Sequence, residues 1–271
     1  MSTQSPLIAD RRVRLFVFLG GFFIANAVIA EFMGVKLFSL ERSFGWEPAD
    51  LTLLGQSGLG FNLSAGVLLW PFVFVLTDVI NEYYGPRGVK FLAWLTVCLI
   101  SYGFVMYYFA IGLEPADFFV TMHLDSLPEA ERPAMAERVA DLNTAYALVF
   151  GQGLWIIVGS IVAFLLAQII DVFIFHRIKR YTGDRLLWLR ATGSTLVSQL
   201  IDSFVVLFIA FYLPGKITLP NLIALGVLAY LYKFVMAILL TPIIYLAHHW
   251  IDRYLGESVS LRMRERAMAE G

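Results

Sequence analysis

Six long apolar stretches, separated by shorter polar segments, run along the chain. They cover residues 13–35, 63–79, 89–111, 145–175, 191–213 and 222–247. A helix that crosses a bilayer needs roughly 20 mostly apolar residues, with a lower limit of about 17. The pattern therefore predicts an all-α fold, a polytopic membrane helical bundle of six transmembrane helices.

Six helices divide into two triplets, and the middle helix of each triplet carries an acid, Asp78 in the first and Asp202 in the second. Because three is odd, the second triplet starts on the opposite side of the membrane from the first, as in the inverted repeats of many transporters. A 3+3 inverted repeat is therefore expected, although the two halves show no clear residue-by-residue match.

The composition agrees with a membrane protein. Of the 271 residues, 59% are hydrophobic and 15% are charged, whereas an average soluble domain is about 45–50% apolar and about 25% charged. The single cysteine and the four histidines lack the spacing of a disulfide or a metal site. We therefore expect no metal, no cofactor and no catalytic residue.

The distribution of lysine and arginine predicts the orientation. Fourteen of them lie on one side of the predicted membrane, at residues 11–14, 87–90, 177–190 and 253–266. Five lie on the other side, namely Lys36, Arg42, Arg132, Arg138 and Lys216. Cytoplasmic loops carry the excess of basic residues, so both termini are expected in the cytoplasm.

This orientation gives the predicted domain organisation. Residues 1–12 form a cytoplasmic N-terminal tail, residues 13–255 the six-helix domain, and residues 256–271 a cytoplasmic C-terminal tail. Residues 112–144 form a long outer loop. Within it, Pro128 followed by Glu129 and Glu131 predicts a short surface helix, with proline at an early position and acids in the first turn.

The fifth apolar stretch carries one polar stripe. Thr195, Ser198, Gln199 and Asp202 follow the spacing of one helix face, which predicts that this face points into the bundle. In the sixth stretch, Lys233 lies too far from either end to reach water comfortably. Asp202 is its expected partner, and the pair serves either a binding site or only the joining of two helices.

The second stretch has the densest cluster of functional groups. Trp70, Phe74, Asp78 and Glu82 are spaced by four and share one face. Two aromatic rings followed by two carboxylates suit a flat heterocycle with N–H donors. The alternative is a cytoplasmic gate, in which the two acids pair with Arg87 or Lys90 across the turn.

Other polar residues within the stretches have simpler expected roles. Asn26 either lines a site or bonds a neighbouring helix. Glu31 is expected to pair with Lys36 at the outer surface. Gln168 shares a face with Asp171, for which we expect pairing with Arg177 near the helix end. The residues concerned are Asn26, Glu31, Lys36, Gln168, Asp171 and Arg177.

Three segments together resemble a known family. They are SAGVLLWP at residues 64–71, TDVINEYYG at residues 77–85 and SQLID at residues 198–202. With the lysine-bearing last helix, they are similar to the bacterial queuosine precursor transporters, also called the vitamin uptake transporter family. The resemblance extends from about residue 13 to residue 255, and the long outer loop departs from it.

The resemblance implies uptake of 7-deazaguanine bases such as preQ0 and preQ1 across the bacterial inner membrane. The expected partners are a nucleobase-like small molecule and membrane lipid, without nucleic acid. A guanine-like ring has N–H donors that suit a carboxylate, a carbonyl that suits an amide, and faces that suit aromatic rings. The candidate substrate-binding residues are Asn26, Trp70, Phe74, Asp78, Asn81, Glu82, Ser198, Gln199, Asp202 and Lys233.

Two other classes of function compete with a self-contained transporter. The chain has no Gly-x-x-x-x-Gly-Lys-[Ser/Thr] motif, so it does not itself hydrolyse nucleotide, but it suits the substrate-capture subunit of an ATP-driven uptake system. An intramembrane enzyme is disfavoured, because the helices lack His-Glu-x-x-His and Gly-x-Ser-x-Gly motifs. The sequence leaves open a homodimer, an ATP-driven partner, the coupling ion and the preferred deazaguanine.

Overall fold

The computed structural model describes residues 10–269, except residues 126, 139–141, 184 and 185. The chain is mostly helical, and this confirms the predicted all-α membrane helical bundle. Within the described residues, five stretches are long and apolar enough to cross a membrane, namely Arg11–Met33, Trp70–Ile111, Leu142–Thr182, Leu187–Tyr212 and Leu219–Leu255.

Two compact units divide the chain. The first comprises the residues up to Cys98 together with those from Leu154 onward, and the second is Leu99–Gly153. The predicted six crossings and the inverted repeat stay predictions, because two of these five stretches, Trp70–Ile111 and Leu142–Thr182, each contain a break.

Helix α1 is Arg11–Met33. It begins at Arg11 because the Asp10 carboxylate accepts a hydrogen bond from the Arg12 main-chain N–H at 2.8 Å, an N-cap that satisfies one of the unpaired donors of the first turn. The same carboxylate lies against the Arg12 guanidinium, which holds the pKa of Asp10 below its usual value.

Short strands, one short helix and a turn follow α1. They are β1 Leu37–Ser39, α2 Leu40–Ser43, β2 Leu51–Leu53, β3 Gln56–Leu59, β4 Asn62–Ser64 and a 3-10 turn Ala65–Leu68. Strand β1 pairs with β4, and β2 pairs with β3, both antiparallel. The stretch predicted as a helix from residue 63 is therefore a strand and a turn at its start. Its α-helix begins at Trp70, where Pro71 occupies the first turn.

Glu41 organises this segment. Its carboxylate accepts hydrogen bonds from the Phe61 main-chain N–H at 2.7 Å and from the Ser39 hydroxyl at 3.0 Å. Burial raises the pKa of Glu41, but these hydrogen bonds outweigh it, so the pKa lies below its usual value.

Helix α3, Trp70–Ile111, contains a break at Gly85, which has φ 70° and ψ −175°. This conformation is essentially restricted to glycine. Pro86 follows and lacks the N–H that would continue the helix. The residues before and after Gly85 are therefore two helical segments, in agreement with the two apolar stretches predicted on either side.

The second unit contains the predicted outer loop, residues 112–144. Its helices are α4 Phe119–Asp125, α5 Arg132–Arg138 and α6 Leu142–Phe150. The predicted surface helix begins at Arg132 and not at Pro128, and its early proline is Pro133. The acids Glu129 and Glu131 therefore precede the helix.

The fourth predicted stretch, residues 145–175, consists of two helices. Helix α6 ends at Phe150, and α7, Leu154–Thr182, starts after a segment with two glycines. Glycine disfavours the helical conformation, so the helix is interrupted at residues 151–153 although the residues on both sides are apolar. Helix α8, Leu187–Leu207, continues as a π-helical turn to Tyr212. Helix α9, Leu219–Leu255, is N-capped by the Thr218 hydroxyl.

Helix α10, Glu257–Ala269, lies within the residues predicted as the C-terminal tail, whose cytoplasmic location stays a prediction. One face of it is buried, with Ser260, Met263 and Ala267 at helical spacing. Ala267 lies against Gly85, and a Cβ added to Gly85 would stand 3.3 Å from the Ala267 Cα. The break in α3 is therefore covered by the last helix. The apolar core of the first unit includes Leu15, Phe23, Val73, Ile80, Leu92, Phe164, Val172, Ile251 and Met263.

Replacing Gly85 with alanine should destabilise the protein by about 1–3 kcal/mol, because a Cβ is strained in this backbone conformation and also presses on α10. The measurement is the apparent melting temperature of the detergent-solubilised protein, followed by tryptophan fluorescence.

The matched control is Gly21→Ala. A Cβ at Gly21 meets no atom within 4 Å, and alanine is preferred over glycine in a helix, so this variant should keep or slightly raise the melting temperature. Equal behaviour of the two variants would contradict the strained break.

Candidate functional site

A small cavity lies between α3, α8 and α9 in the interior of the first unit. Its volume is about 20 Å³, which is room for about one water molecule. Its lining residues are Pro71, Phe74, Val75, Asp78, Thr192, Thr195, Gln199, Lys233, Ala237, Leu240 and Ile244. Polar groups from three helices thus meet at this cavity.

Two carboxylates meet beside this cavity. The Thr195 hydroxyl lies 3.2 Å from Asp78 Oδ2 and 3.4 Å from Asp171 Oδ1. The Ser198 hydroxyl donates to Asp171 Oδ1 at 3.0 Å. Asp78 is 1% exposed and Asp171 is fully buried. Among the described residues, Asp78 Oδ1 and Asp171 Oδ2 have no hydrogen-bond partner.

The remaining polar groups of the cavity differ in what they offer. The Gln199 amide oxygen is buried without a hydrogen-bond partner in the described part of the chain, so it can accept from a bound molecule. The Thr192 and Thr241 hydroxyls bond each other at 2.8 Å and are already satisfied. Phe74 is 2% exposed and supplies an aromatic ring to the wall. The cavity therefore offers mainly hydrogen-bond acceptors beside an aromatic surface.

The predicted pair of Lys233 and Asp202 is confirmed. The ammonium lies 2.5 Å from Asp202 Oδ2, and the two side chains are 12% and 21% exposed. Lys233 also lines the cavity. The predicted polar stripe of α8 is confirmed as well, because Thr195, Ser198 and Gln199 are buried on the inner face.

Glu82 has partners that the sequence analysis did not predict. Its Oε1 lies 2.9 Å from both Lys179 Nζ and Arg190 Nη2, so one carboxylate joins α3, α7 and α8. All three side chains are at most 2% exposed. The Phe175 ring lies 6.0 Å from each of the two cationic groups. The described ion pairs of Glu82 therefore join α3 to α7 and α8, in place of the pairing with Arg87 or Lys90 in the alternative gate interpretation.

Asp171 is the most informative residue that the sequence analysis misplaced. Its expected partner Arg177 instead stacks on the Tyr181 ring, because a residue six positions further along a helix lies on another face. Helix α7 continues to Thr182, so Asp171 is three turns from its end. The shared face of Asp171 and Gln168 was the available signal, and Gln168 does accept from the Thr77 hydroxyl of α3 at 2.9 Å.

Other predicted residues lie away from the cavity lining. The Trp70 ring packs 5.5 Å from the ring of Phe164. Asn81 Oδ1 lies 2.9 Å from His176 Nε2. Asn26 donates to the main-chain oxygen of Phe22, one turn earlier in α1.

Glu31 is buried and accepts a hydrogen bond from Ser160, so its expected pairing with Lys36 is wrong. The structure thus places Phe74, Asp78, Gln199 and Lys233 at the cavity. The substrate-binding roles of all ten candidates stay predictions.

The comparisons with known proteins agree with one another. Residues 64–247 match the model of a family described as putative vitamin uptake transporter. The chain is 32% identical over 196 residues to a probable queuosine precursor transporter of Bacillus subtilis (strain 168), covering 71% of this chain and 74% of the relative.

Two further relatives carry related names. The queuosine precursor transporter of Escherichia coli (strain K12) is 26% identical over 69% of this chain and 73% of its own length. The probable queuosine precursor transporter of Haemophilus influenzae (strain ATCC 51907 / DSM 11121 / KW20 / Rd) is 24% identical over 89% of both chains. No solved structure matches this chain.

Glu82→Gln should lower the free energy of unfolding by about 3–5 kcal/mol, because it removes the carboxylate that two buried cations share. Asp10→Asn is the control, since its ion pair with Arg12 is on the surface and asparagine is an equally good N-cap. This control should change the stability by at most about 1 kcal/mol. Thermal unfolding in detergent distinguishes the two, and similar small effects would show that the Glu82 cluster is not a structural requirement.

Proposed function

The chain belongs to the family described as putative vitamin uptake transporters, and we propose that it imports queuosine precursors, 7-deazaguanine bases such as preQ0 and preQ1, into the cytoplasm. The names of three relatives support the substrate class. The multi-pass helical bundle supports the membrane location. The proposal includes the bacterial inner membrane as the location and the cytoplasm as the side of both termini.

One observation carries the proposal for the binding site. Asp78 presents an unpaired carboxylate oxygen at a cavity that also holds the Phe74 ring and the Gln199 amide. The edge of a guanine-like base has two adjacent N–H donors, which suit the two oxygens of one ionised carboxylate. An aromatic wall suits the face of the ring. Asp78 is therefore the proposed recognition group.

The cavity volume indicates which state of the transport cycle this conformation represents. A fused two-ring base is far larger than the single water molecule for which the cavity has room, so the site must open before it binds. Helices α8 and α9 both line the cavity and are joined by the Asp202–Lys233 ion pair. We assign the structure to a closed state without substrate, in which the helices have come together on the binding site.

Asp78→Asn should weaken binding of 7-deazaguanine bases by roughly 5- to 150-fold. The amide replaces one acceptor oxygen with a donor, which leaves an N–H of the base unpaired, and such a mismatch costs about 1–3 kcal/mol. The measurement is isothermal titration of the purified protein in detergent with 7-cyano-7-deazaguanine. Guanine and adenine serve as comparison ligands, because adenine lacks the paired donors of this edge.

Glu31→Gln is the matched control. It also replaces a buried carboxylate by its amide, but Glu31 lies outside the cavity lining and bonds Ser160, so affinity should be retained. Unchanged affinity in Asp78→Asn would reject the recognition role of Asp78. Absence of binding to the unmodified protein would reject the proposed substrate class.

A further inference from the structure

A groove of about 640 Å³ lies between α1 and α9 on the outer surface of the first unit. Leu15, Leu19 and Ile251 form its buried floor, whereas Phe18 and Trp250 are more than half exposed at its edges. Both helices belong to the stretches that are long and apolar enough to cross a membrane. The groove therefore opens toward the hydrocarbon of the bilayer, and it shares no lining residue with the candidate substrate cavity.

One end of the groove is basic. Among the described residues that line it, Arg14 alone is charged, and it is exposed. Arg11 lies one turn earlier on the same face of α1, where its Nη1 atom donates to the Tyr254 main-chain oxygen at 3.1 Å. The Arg11 guanidinium also lies 5.9 Å from the centre of the Tyr254 ring. The start of α1 and the end of α9 therefore meet at the same membrane surface.

The acids nearest to this end along the chain have partners of their own. Asp10 contacts the Arg12 guanidinium at 2.7 Å. Asp252 accepts a hydrogen bond from the Tyr83 hydroxyl at 2.8 Å. An anion at this end of the groove would therefore meet the two arginine side chains of α1.

This combination fits a molecule with a hydrocarbon chain and an anionic head. Arginine binds phosphate oxygens through paired N–H donors, and basic pockets between membrane helices bind acidic lipid head groups. Trp250 and Tyr254 line the same end of the groove and have amphipathic rings of the kind enriched where membrane meets water. The orientation predicted from the basic residues puts this end in the cytoplasmic leaflet, whose anionic lipids give it a negative surface potential.

A second copy of the chain fits the groove less well. In a two-fold dimer the same surface patch occurs on both partners. An interface centred on the groove would bring Arg11 and Arg14 close to the same two arginines of the other copy, and like charges repel. A lipid phosphate supplies the opposite charge.

We propose that the groove between α1 and α9 binds an anionic phospholipid, whose phosphate contacts Arg14 and one of whose acyl chains lies along the apolar side chains. The proposal requires only the membrane location of the bundle and does not depend on the identity of the transported molecule. A zwitterionic phospholipid has the same phosphate but brings a cationic group beside the two arginines, so it binds more weakly. Because the lipid contacts two helices that are far apart in the sequence, it stabilises the folded protein.

Native mass spectrometry of the detergent-solubilised protein can compare phosphatidylglycerol with phosphatidylcholine of identical acyl chains. The phosphatidylglycerol adduct should exceed the phosphatidylcholine adduct by at least about 5-fold, the factor expected for one favourable arginine contact at a membrane surface. Phosphatidylglycerol should also raise the apparent melting temperature more than phosphatidylcholine does. Equal retention of the two lipids overturns the proposal.

Arg14→Gln removes the charge but keeps a long polar side chain. It should lower phosphatidylglycerol retention by about 5-fold and leave phosphatidylcholine retention unchanged. Arg253→Gln is the matched control, because Arg253 is exposed in the last turn of α9, next to Tyr254, yet lies outside the groove lining. This control should retain phosphatidylglycerol. An equal loss in both variants shows a general attraction to surface charge and overturns the defined site.

Ala247→Phe tests the apolar part of the groove. Ala247 lines the groove, and a ring at this position takes the space of the acyl chain, so the variant should lose phosphatidylglycerol while Arg14 stays in place. Val235→Phe makes a similar change at an exposed position of α9 outside the lining and should retain the lipid.

Two results of this comparison contradict the proposal. Retention of phosphatidylglycerol by Ala247→Phe shows that the acyl chain lies elsewhere. A lipid-free dimer of the unmodified protein that Ala247→Phe dissociates identifies a second copy as the occupant of the groove.

Discussion

A charge inside an apolar bundle is tolerated only where another helix supplies a partner. This constraint determines how the helices of the first unit meet. Glu82 of α3 contacts Lys179 of α7 and Arg190 of α8, and Asp202 of α8 contacts Lys233 of α9. Apolar side chains tolerate small shifts along a helix axis, whereas an ion pair loses its contact. The pairs therefore define the relative heights of four helices.

The candidate site lies where this pairing is incomplete. Helix α8 has one polar face, and most groups on it find partners on neighbouring helices. At the level of Asp78 and Asp171 the described partners are hydroxyls of Thr195 and Ser198. Unpaired acceptor atoms next to a cavity are what a hydrogen-bonding ligand can satisfy. The site thus arises from the same rule that stabilises the rest of the bundle.

Much of the fold was predictable because residues that contact lipid are apolar, and long apolar stretches are visible in the sequence. Stretches of about 20 apolar residues predicted the long helices, and the spacing of Thr195, Ser198 and Gln199 predicted the buried face of α8. The strands between residues 37 and 64 were not predicted, because strands of three or four residues are too short to show alternation. The interruption after Phe150 was missed because the apolar residues continue on both sides.

The contacts of the site were harder to predict, since they depend on which helix faces meet. The Asp202–Lys233 pair could be inferred because Lys233 is isolated in its helix. Lys179 and Arg190 looked like ordinary basic residues of a cytoplasmic flank, yet they are buried against Glu82. Asp171 looked like a helix-end acid. In both cases the sequence shows the chemistry of the side chain but not the non-local partner.

The glycine break in α3 allows the helical segment before it to tilt about Gly85. Asp78 lies seven residues from Gly85, which is about 10 Å along the helix axis. Because the Pro86 nitrogen carries no hydrogen, it makes no helical hydrogen bond that a rotation at Gly85 would have to break. A tilt of about 10° at this point displaces Asp78 by about 2 Å. A displacement of this size breaks the hydrogen bond between Asp78 and Thr195. A small angular change at Gly85, near one end of the segment, therefore suffices to disrupt the polar cluster at its middle.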